Sequence, residues 1–270
     1  MRLAWLTDIH LNFLEAVERR EFLTMVAERC DAIVVSGDIG ESPNIDSLLG
    51  EMEFILKKPI YFVLGNHDFY KSSIARTRTK VGRLARQSDL LVYLTQEDIV
   101  ELTPTTALVG HDGWADARLG DYERSTVHLS DFLLIEELVR YNQFALPDRM
   151  GMRRMLESLA QEAADHFARV LPRALSTYRN VLAITHVPPF REAAWHRGRI
   201  SDDAYLPYFA SRIIGDVMKG VMLAHPNAKL LVLCGHTHGD GELQVLDNFN
   251  VWTGRADYGS PEIQKVLTVE

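Results

Sequence analysis

The chain's 270 residues are 47% hydrophobic and 24% charged, proportions of an ordinary folded protein that exclude an intrinsically disordered chain. A formal net charge of -8 argues against the broad basic face that duplex nucleic acid requires. It leaves phosphate substrates open, because bound cations would bring their own charge.

The first residues enter a strand-like run at 3–6, with no basic segment, long apolar stretch and cleavage site ahead of it. No apolar run is long enough to cross a bilayer, and a cytoplasmic protein is expected. Cys30 and Cys234 sit beside apolar runs; a bridge between them stays open, but two cysteines make no disulfide framework. Further strand-like runs at 33–35 and 60–64 alternate with helical spacing at 15–29 and 45–56, the pattern of βαβ units around a parallel sheet. A basic helix is expected at 74–87, with Ser72 or Ser73 as its N-cap, then strands at 91–94, 99–102 and 106–109. The stretch 114–180 reads as helical, an insertion or cap within one domain spanning 1–270. Within it Met152, Met155, Leu156, Leu159, Ala163, Phe167 and Val170 fall on one packing face. Strands at 181–185 and 230–234 flank a helix at 209–223, and runs at 241–245, 251–253 and 263–269 suggest antiparallel hairpins.

Five polar clusters each follow an apolar run: Asp8-Ile9-His10, Gly37-Asp38, Gly65-Asn66-His67-Asp68, Thr185-His186 and Gly235-His236-Thr237-His238. One Asp or His after a strand is usually a cap. Five together, expected at the same edge of one sheet, form a donor set of carboxylate and imidazole without thiolate, suited to divalent transition ions rather than a structural zinc site. In an extended segment alternate residues share a side, so Asp8 and His10 can aim at one ion, as can His236 and His238. The glycines mark sharp turns at the strand ends.

In their order and residue types these clusters resemble the calcineurin-like metallophosphoesterase superfamily, over residues 8–238. The resemblance implies an α/β fold of two stacked mixed β-sheets flanked by helices, a four-layer αββα sandwich. It implies two divalent ions (Mn, Fe or Zn), one held by Asp8, His10, Asp38 and His238, the other by Asp38, Asn66, His186 and His236, with Asp38 bridging. His67 would face the substrate and Asp68 would orient it. The activity implied is hydrolysis of a small or nucleotide-type phosphodiester or phosphomonoester by a hydroxide bridging the metals. No Gly-x-Ser-x-Gly elbow suggests a serine nucleophile.

Recognition of the rest of a substrate is expected from Gly110-His111-Asp112-Gly113-Trp114 and from 188–208, with His111, Trp195 and His196 the named candidates. His128, His166 and His225 read as surface or packing residues. Two rivals remain. A nuclease of the same superfamily would use Arg76, Arg78, Lys80, Arg83 and Arg86 on the nucleic-acid backbone, although a charged helix face is more often solvated. A non-catalytic protein-binding scaffold need not keep His67 and every ligand, and all are present here.

Overall fold

The computed structural model of the chain describes residues 1–142 and 147–270. Strand β1 (Arg2–Leu6) leads to helix α1 (Ala16–Arg29), β2 (Ala32–Ser36), α2 (Ile45–Leu56), β3 (Ile60–Val63), α3 (Ile74–Ala85) and β4 (Leu91–Tyr93). Next come β5 (Val100–Thr103), β6 (Thr106–Gly110), the single-turn helices α4 (Asp131–Leu134) and α5 (Glu136–Val139), and the long α6 (Arg149–Thr177). After β7 (Asn180–Ile184) follow β8 (Trp195–His196) and β9 (Arg199–Ile200), then α7 (Leu206–Phe209) and α8 (Arg212–Leu223). The chain ends through β10 (Lys229–Cys234), β11 (Gly241–Leu246), β12 (Phe249–Thr253) and β13 (Lys265–Thr268).

The strands form two large mixed sheets, ordered β13-β1-β2-β3-β4 and β11-β12-β10-β7-β6-β5. In the first, β1 to β4 are parallel and β13 runs antiparallel to β1; in the second, β12, β10, β7 and β6 are parallel. The central strands are buried on both faces, which is why they read as unbroken apolar runs. Leu3, Trp5, Val34 and Val63 turn inward to meet Leu108, Leu182, Ile184 and Leu233 of the other sheet. Their neighbours Ala4, Leu6, Ile33 and Val35 face Leu23, Val26, Leu49 and Met52 of α1 and α2. On the far side Val109, Ala183 and Val232 pack against Phe167, Val170 and Met218 of α6 and α8. Period-2 alternation thus generates the four layers, helices–sheet–sheet–helices, expected from the resemblance.

Three local expectations change. The stretch 114–130 is not helical, and residues 143–146 of the expected helical region lie outside the described residues. Gly113 and Gly120 take φ of +75° and +72°, and Ala117 and Asp121 donate their N–H groups to the carbonyls of Pro207 and Asp203. Those bonds replace the i−4 ladder of a helix. The expected helix at 209–223 divides into α7 and α8 because Ala210 and Ser211 are extended, with Asp116 Oδ2 accepting from Ile213 N at 2.8 Å. The last strand makes no hairpin with its predecessor; β13 crosses to the first sheet and covers the edge of β1. Ser73, of the two candidate caps, opens α3 by accepting from Arg76 N.

Candidate metal centre

The polar clusters follow β1, β2 and β3 of one sheet and β7 and β10 of the other. They are therefore divided between two sheets rather than strung along one edge. The shared core between the sheets aligns the strand ends, and Asp38 Oδ2 stands 3.5 Å from His186 Nε2 across the gap.

Extended alternation is not what aims the pairs. Asp8 and His10 lie beyond the end of β1 with φ of 47° and 40°; His236 and His238 lie beyond β10 with φ of 71° and 58°; Asp38 follows β2 with φ of 54°. Each is a left-handed conformation costing roughly 1–3 kcal/mol for a residue with a side chain. Burying one Leu or Val of the preceding strand contributes about 1.5–3 kcal/mol, so the strands can hold their ends in this state. The loops also brace each other, since Asp8 and His10 donate their N–H groups to the carbonyls of Gly37 and Asp38. Of the three glycines, Gly37 has φ of +96° and needs its conformational freedom. Gly65 and Gly235 are needed for space instead, as a Cβ there would strike the carboxylates of Asp38 and Asp8.

Donor atoms of Asp8, His10, Asp38 and His238 all lie within 4.8 Å of one another, a group that could hold one ion. His238 Nε2 is 3.4 Å from Asp8 Oδ1 and 3.5 Å from His10 Nε2. A second group adjoins it: Asn66 Oδ1 is 3.0 Å from His186 Nε2 and 2.9 Å from His236 Nδ1. The far side of each of these two rings is engaged, His186 Nδ1 with the Ser36 carbonyl at 2.8 Å and His236 Nε2 with the Tyr208 carbonyl at 3.0 Å. A backbone carbonyl requires the proton on that nitrogen, so in the neutral ring the other nitrogen turns a bare lone pair toward the cluster. His236 Nδ1 then faces the Asn66 carbonyl acceptor to acceptor, a contact a cation would relieve. Burial and the neighbouring His186 lower the His236 pKa to about 4, keeping the ring neutral. Burial lowers the His186 pKa as well, but the Asp38 carboxylate raises it more, to about 10, so a proton can occupy the place of a cation. Burial raises the Asp8 pKa while His186 and His238 lower it, to about 2 overall. His10 Nδ1 is buried without a partner among the described residues. The donor set of carboxylate, imidazole and amide oxygen suits divalent transition ions.

His67 lines a cavity of about 300 Å³ above these groups, with Asp38, Asn66, Tyr70, Asp131, His196, Phe209 and Tyr258 among the other walls. Its N–H bonds Asp38 Oδ1 at 2.9 Å, and its ring stacks on Tyr70 with centroids 4.3 Å apart. Asp68 does not orient that ring. Its buried carboxylate accepts from the backbone N–H groups of Ile39, Gly40 and Gly65 at 2.8–2.9 Å, tying the loop after β3 to the loop after β2.

Of the substrate candidates, His196 lines the cavity, its Nδ1 2.8 Å from the Thr237 carbonyl. Trp195 does not; its indole packs against Gly241 and its backbone against Gly239. His111 is 2% exposed and sits beside His166 in the interior. The sequence reading missed Tyr70, Asp131, Phe209 and Tyr258. Tyr70 lies four residues after Asn66 and was within reach of the motif; Asp131 in α4, Phe209 in α7 and Tyr258 in the loop before β13 carry no local signal.

A two-sheet sandwich with histidine, carboxylate and amide donors gathered where its strands end defines a metal-binding α/β protein. The chain belongs to the calcineurin-like phosphoesterase family, whose profile matches residues 1–240. No curated protein sequence matches it. Among solved structures it is similar to the phosphopantetheinyl hydrolase of Mycobacterium tuberculosis, at TM-score 0.65 and 15% identity, covering 96% of this chain and 90% of that one. It is also similar to a dimetal phosphatase from Danio rerio, at TM-score 0.59 and 17% identity, covering 97% and 89%. At such identities the likeness is one of fold. Among the described residues no helix is long and apolar enough to cross a membrane.

Proposed function

We propose that the protein hydrolyses a small phosphoester at a centre of two divalent transition-metal ions, Mn, Fe or Zn. One ion would be held by Asp8, His10, Asp38 and His238, the other by Asp38, Asn66, His186 and His236. The observation that carries this reading is the set of lone pairs turned on one another, with the far nitrogens of His186 and His236 fixed on backbone carbonyls. Ions bound there would supply Lewis acidity, charge neutralisation of phosphate oxygens and a lowered pKa for bound water.

The chain's own residues supply the rest. Asp38 joins the two groups, with Oδ2 toward His10 and His186 and Oδ1 on the His67 backbone. His67 faces the cavity and gives a proton to the departing oxygen. The cavity volume suits a phosphate with a compact substituent, at the lower end of ordinary ligand pockets. His196, Phe209 and Tyr258 would meet that substituent. Free, buried Cys30 and Cys234 fit a reducing compartment, in keeping with a cytoplasmic location.

The nuclease reading loses support from the pairing of the basic run in and just after α3 with other parts of the chain. Arg76 bonds Glu136, Arg78 bonds Asp112 and Glu162, Lys80 faces Asp46 and Arg86 bonds Gln96, so most of the basic run is spent inside the chain. The test is turnover of 4-nitrophenyl phosphomonoesters and phosphodiesters after chelation and re-addition of Mn, Fe or Zn. Metal-dependent turnover is expected, and its absence with each ion would leave the scaffold reading. His67→Asn should keep bound metal and lose roughly 10²–10⁴ in rate on an alkyl ester with a poor leaving group. The 4-nitrophenyl ester should lose less, because it departs without much protonation; equal losses on both would refute the proton-donor role.

A further inference from the structure

Asp131 opens α4, in the stretch between β6 and β7, far in sequence from every strand-end motif. It is nevertheless buried against Asn66, which donates from Nδ2 to Asp131 Oδ1 at 2.8 Å. Tyr70 donates its hydroxyl to the same oxygen at 2.6 Å. The arrangement is clamped from both sides, as Lys71 N bonds the Leu134 carbonyl at 2.7 Å and Glu136 N bonds the Ser72 carbonyl at 3.0 Å. The segment carrying Asp131 is thus docked directly onto the loop that carries Asn66, His67 and Tyr70.

A side-chain amide has a carbonyl that can ligate a cation and an NH₂ that cannot. A half-turn about its last bond exchanges the two. An ionised carboxylate has only acceptor capacity, so it accepts the NH₂ and rejects the carbonyl. The Asn66 carbonyl is thereby directed at His186 Nε2 and His236 Nδ1. Such outer partners of metal ligands typically account for about 10–100-fold in metal affinity.

We propose that Asp131 is a positioning residue that fixes the Asn66 amide with its oxygen toward the second ion. The proposal rests on the two-ion reading above, and the experiment separates the two. Metal-free protein is titrated with Mn²⁺ by calorimetry, and bound Mn is counted after dialysis. The wild type should bind two ions per chain. Asp131→Leu should bind one ion as the wild type does and the other roughly 10–100-fold more weakly, because nothing then accepts from the Asn66 NH₂ and the amide is free to turn. Adding Asn66→Asp to Asp131→Leu should recover the second ion, since a carboxylate at 66 offers oxygen to the metal whichever way it turns. A residue that merely filled space would give no such recovery.

Unchanged affinity in Asp131→Leu, or a double variant no better than the single one, would overturn the proposal. Should Asp131→Leu fail to fold, Asp131→Ala carries the test, with the same loss at the second ion expected and the same unchanged affinity overturning it. Wild-type protein that binds one Mn²⁺ would instead remove the two-ion reading, and this inference with it.

Discussion

Two clusters of buried polar side chains adjoin each other at the strand ends, one around Asp38 and one around Asp112, and each aspartate lies one or two residues past a glycine at the end of a parallel strand. Around Asp112 each lone pair meets a donor. Leu64 N and Thr95 Oγ1 bond Oδ1 at 2.8 and 2.7 Å, and Arg78 Nε and Tyr93 Oη bond Oδ2 at 2.8 and 2.7 Å. Around Asp38, Oδ1 accepts from the His67 N–H, while Oδ2 faces the ring nitrogens of His10 at 3.8 Å and His186 at 3.5 Å. Residue type and position after a strand do not separate a structural cluster from a binding one. The balance of donors to acceptors does: the Asp112 cluster is closed, and the Asp38 cluster offers more lone pairs than its neighbours answer.

Substituting the two aspartates should pull the clusters apart. Asp38→Asn is expected to have the largest effect on function, with bound metal falling at both positions by elemental analysis and turnover lost. His10→Ala should lose less metal, because it touches one position only. Near-normal metal content in Asp38→Asn would remove the bridging assignment. Asp112→Ala should act on stability instead. It takes the acceptor from Arg78 Nε, two hydroxyls and a backbone N–H, and a buried pair broken on one side costs about 3–5 kcal/mol. Denaturant unfolding of the metal-free protein measures this, and the folded fraction should still bind metal as the wild type does. The sign with pH is fixed too. Burial raises the Asp112 pKa, but Arg78 and His111 hold it below the usual carboxylate range. Its contribution is therefore complete above about pH 4, where the unfolded carboxyl titrates, and is lost as pH falls through the lower folded value. A stability difference between wild type and variant that widened in acid would contradict the closed cluster.

The comparison also explains what the sequence could and could not convey. Strands read well because β1, β2, β7 and β10 are buried on both faces and appear as continuous apolar runs. The polar clusters were legible because each follows such a run, and their order is a family signature. Their conformation was not: alternation was expected where the chain is left-handed, since φ is set by loop bracing rather than residue type. His111 and Asp112 looked like a further strand-end site, and the donors that close it lie 17, 19 and 34 residues from Asp112, at Thr95, Tyr93 and Arg78. Asp131 reaches Asn66 across 65 residues and carries no local mark of doing so.

The smallest effect expected is on substrate choice, and it sharpens the comparison at adjacent residues. Trp195 and His196 form β8, paired with Ile200 and Arg199 of β9, and successive residues of a strand face opposite ways. One side of this short ribbon lies on Gly239 and Gly241, where the Trp195 indole packs; the other turns His196 into the cavity. The His196 ring is held there by the Thr237 carbonyl and stands edge-on to Phe209 at 6.3 Å. His196→Ala should leave metal content and melting temperature as they are, and should shift the ranking of nucleotide, cyclic-nucleotide and sugar-phosphate substrates by less than about tenfold, roughly 1.4 kcal/mol. Trp195→Ala should do the reverse, costing about 1–2 kcal/mol of stability while the ranking holds. If both variants moved the ranking, the ribbon would act as one substrate-facing unit. If neither did, recognition would pass to Phe209 and Tyr258 on the other walls of the cavity, and the alternation of β8 would carry no function.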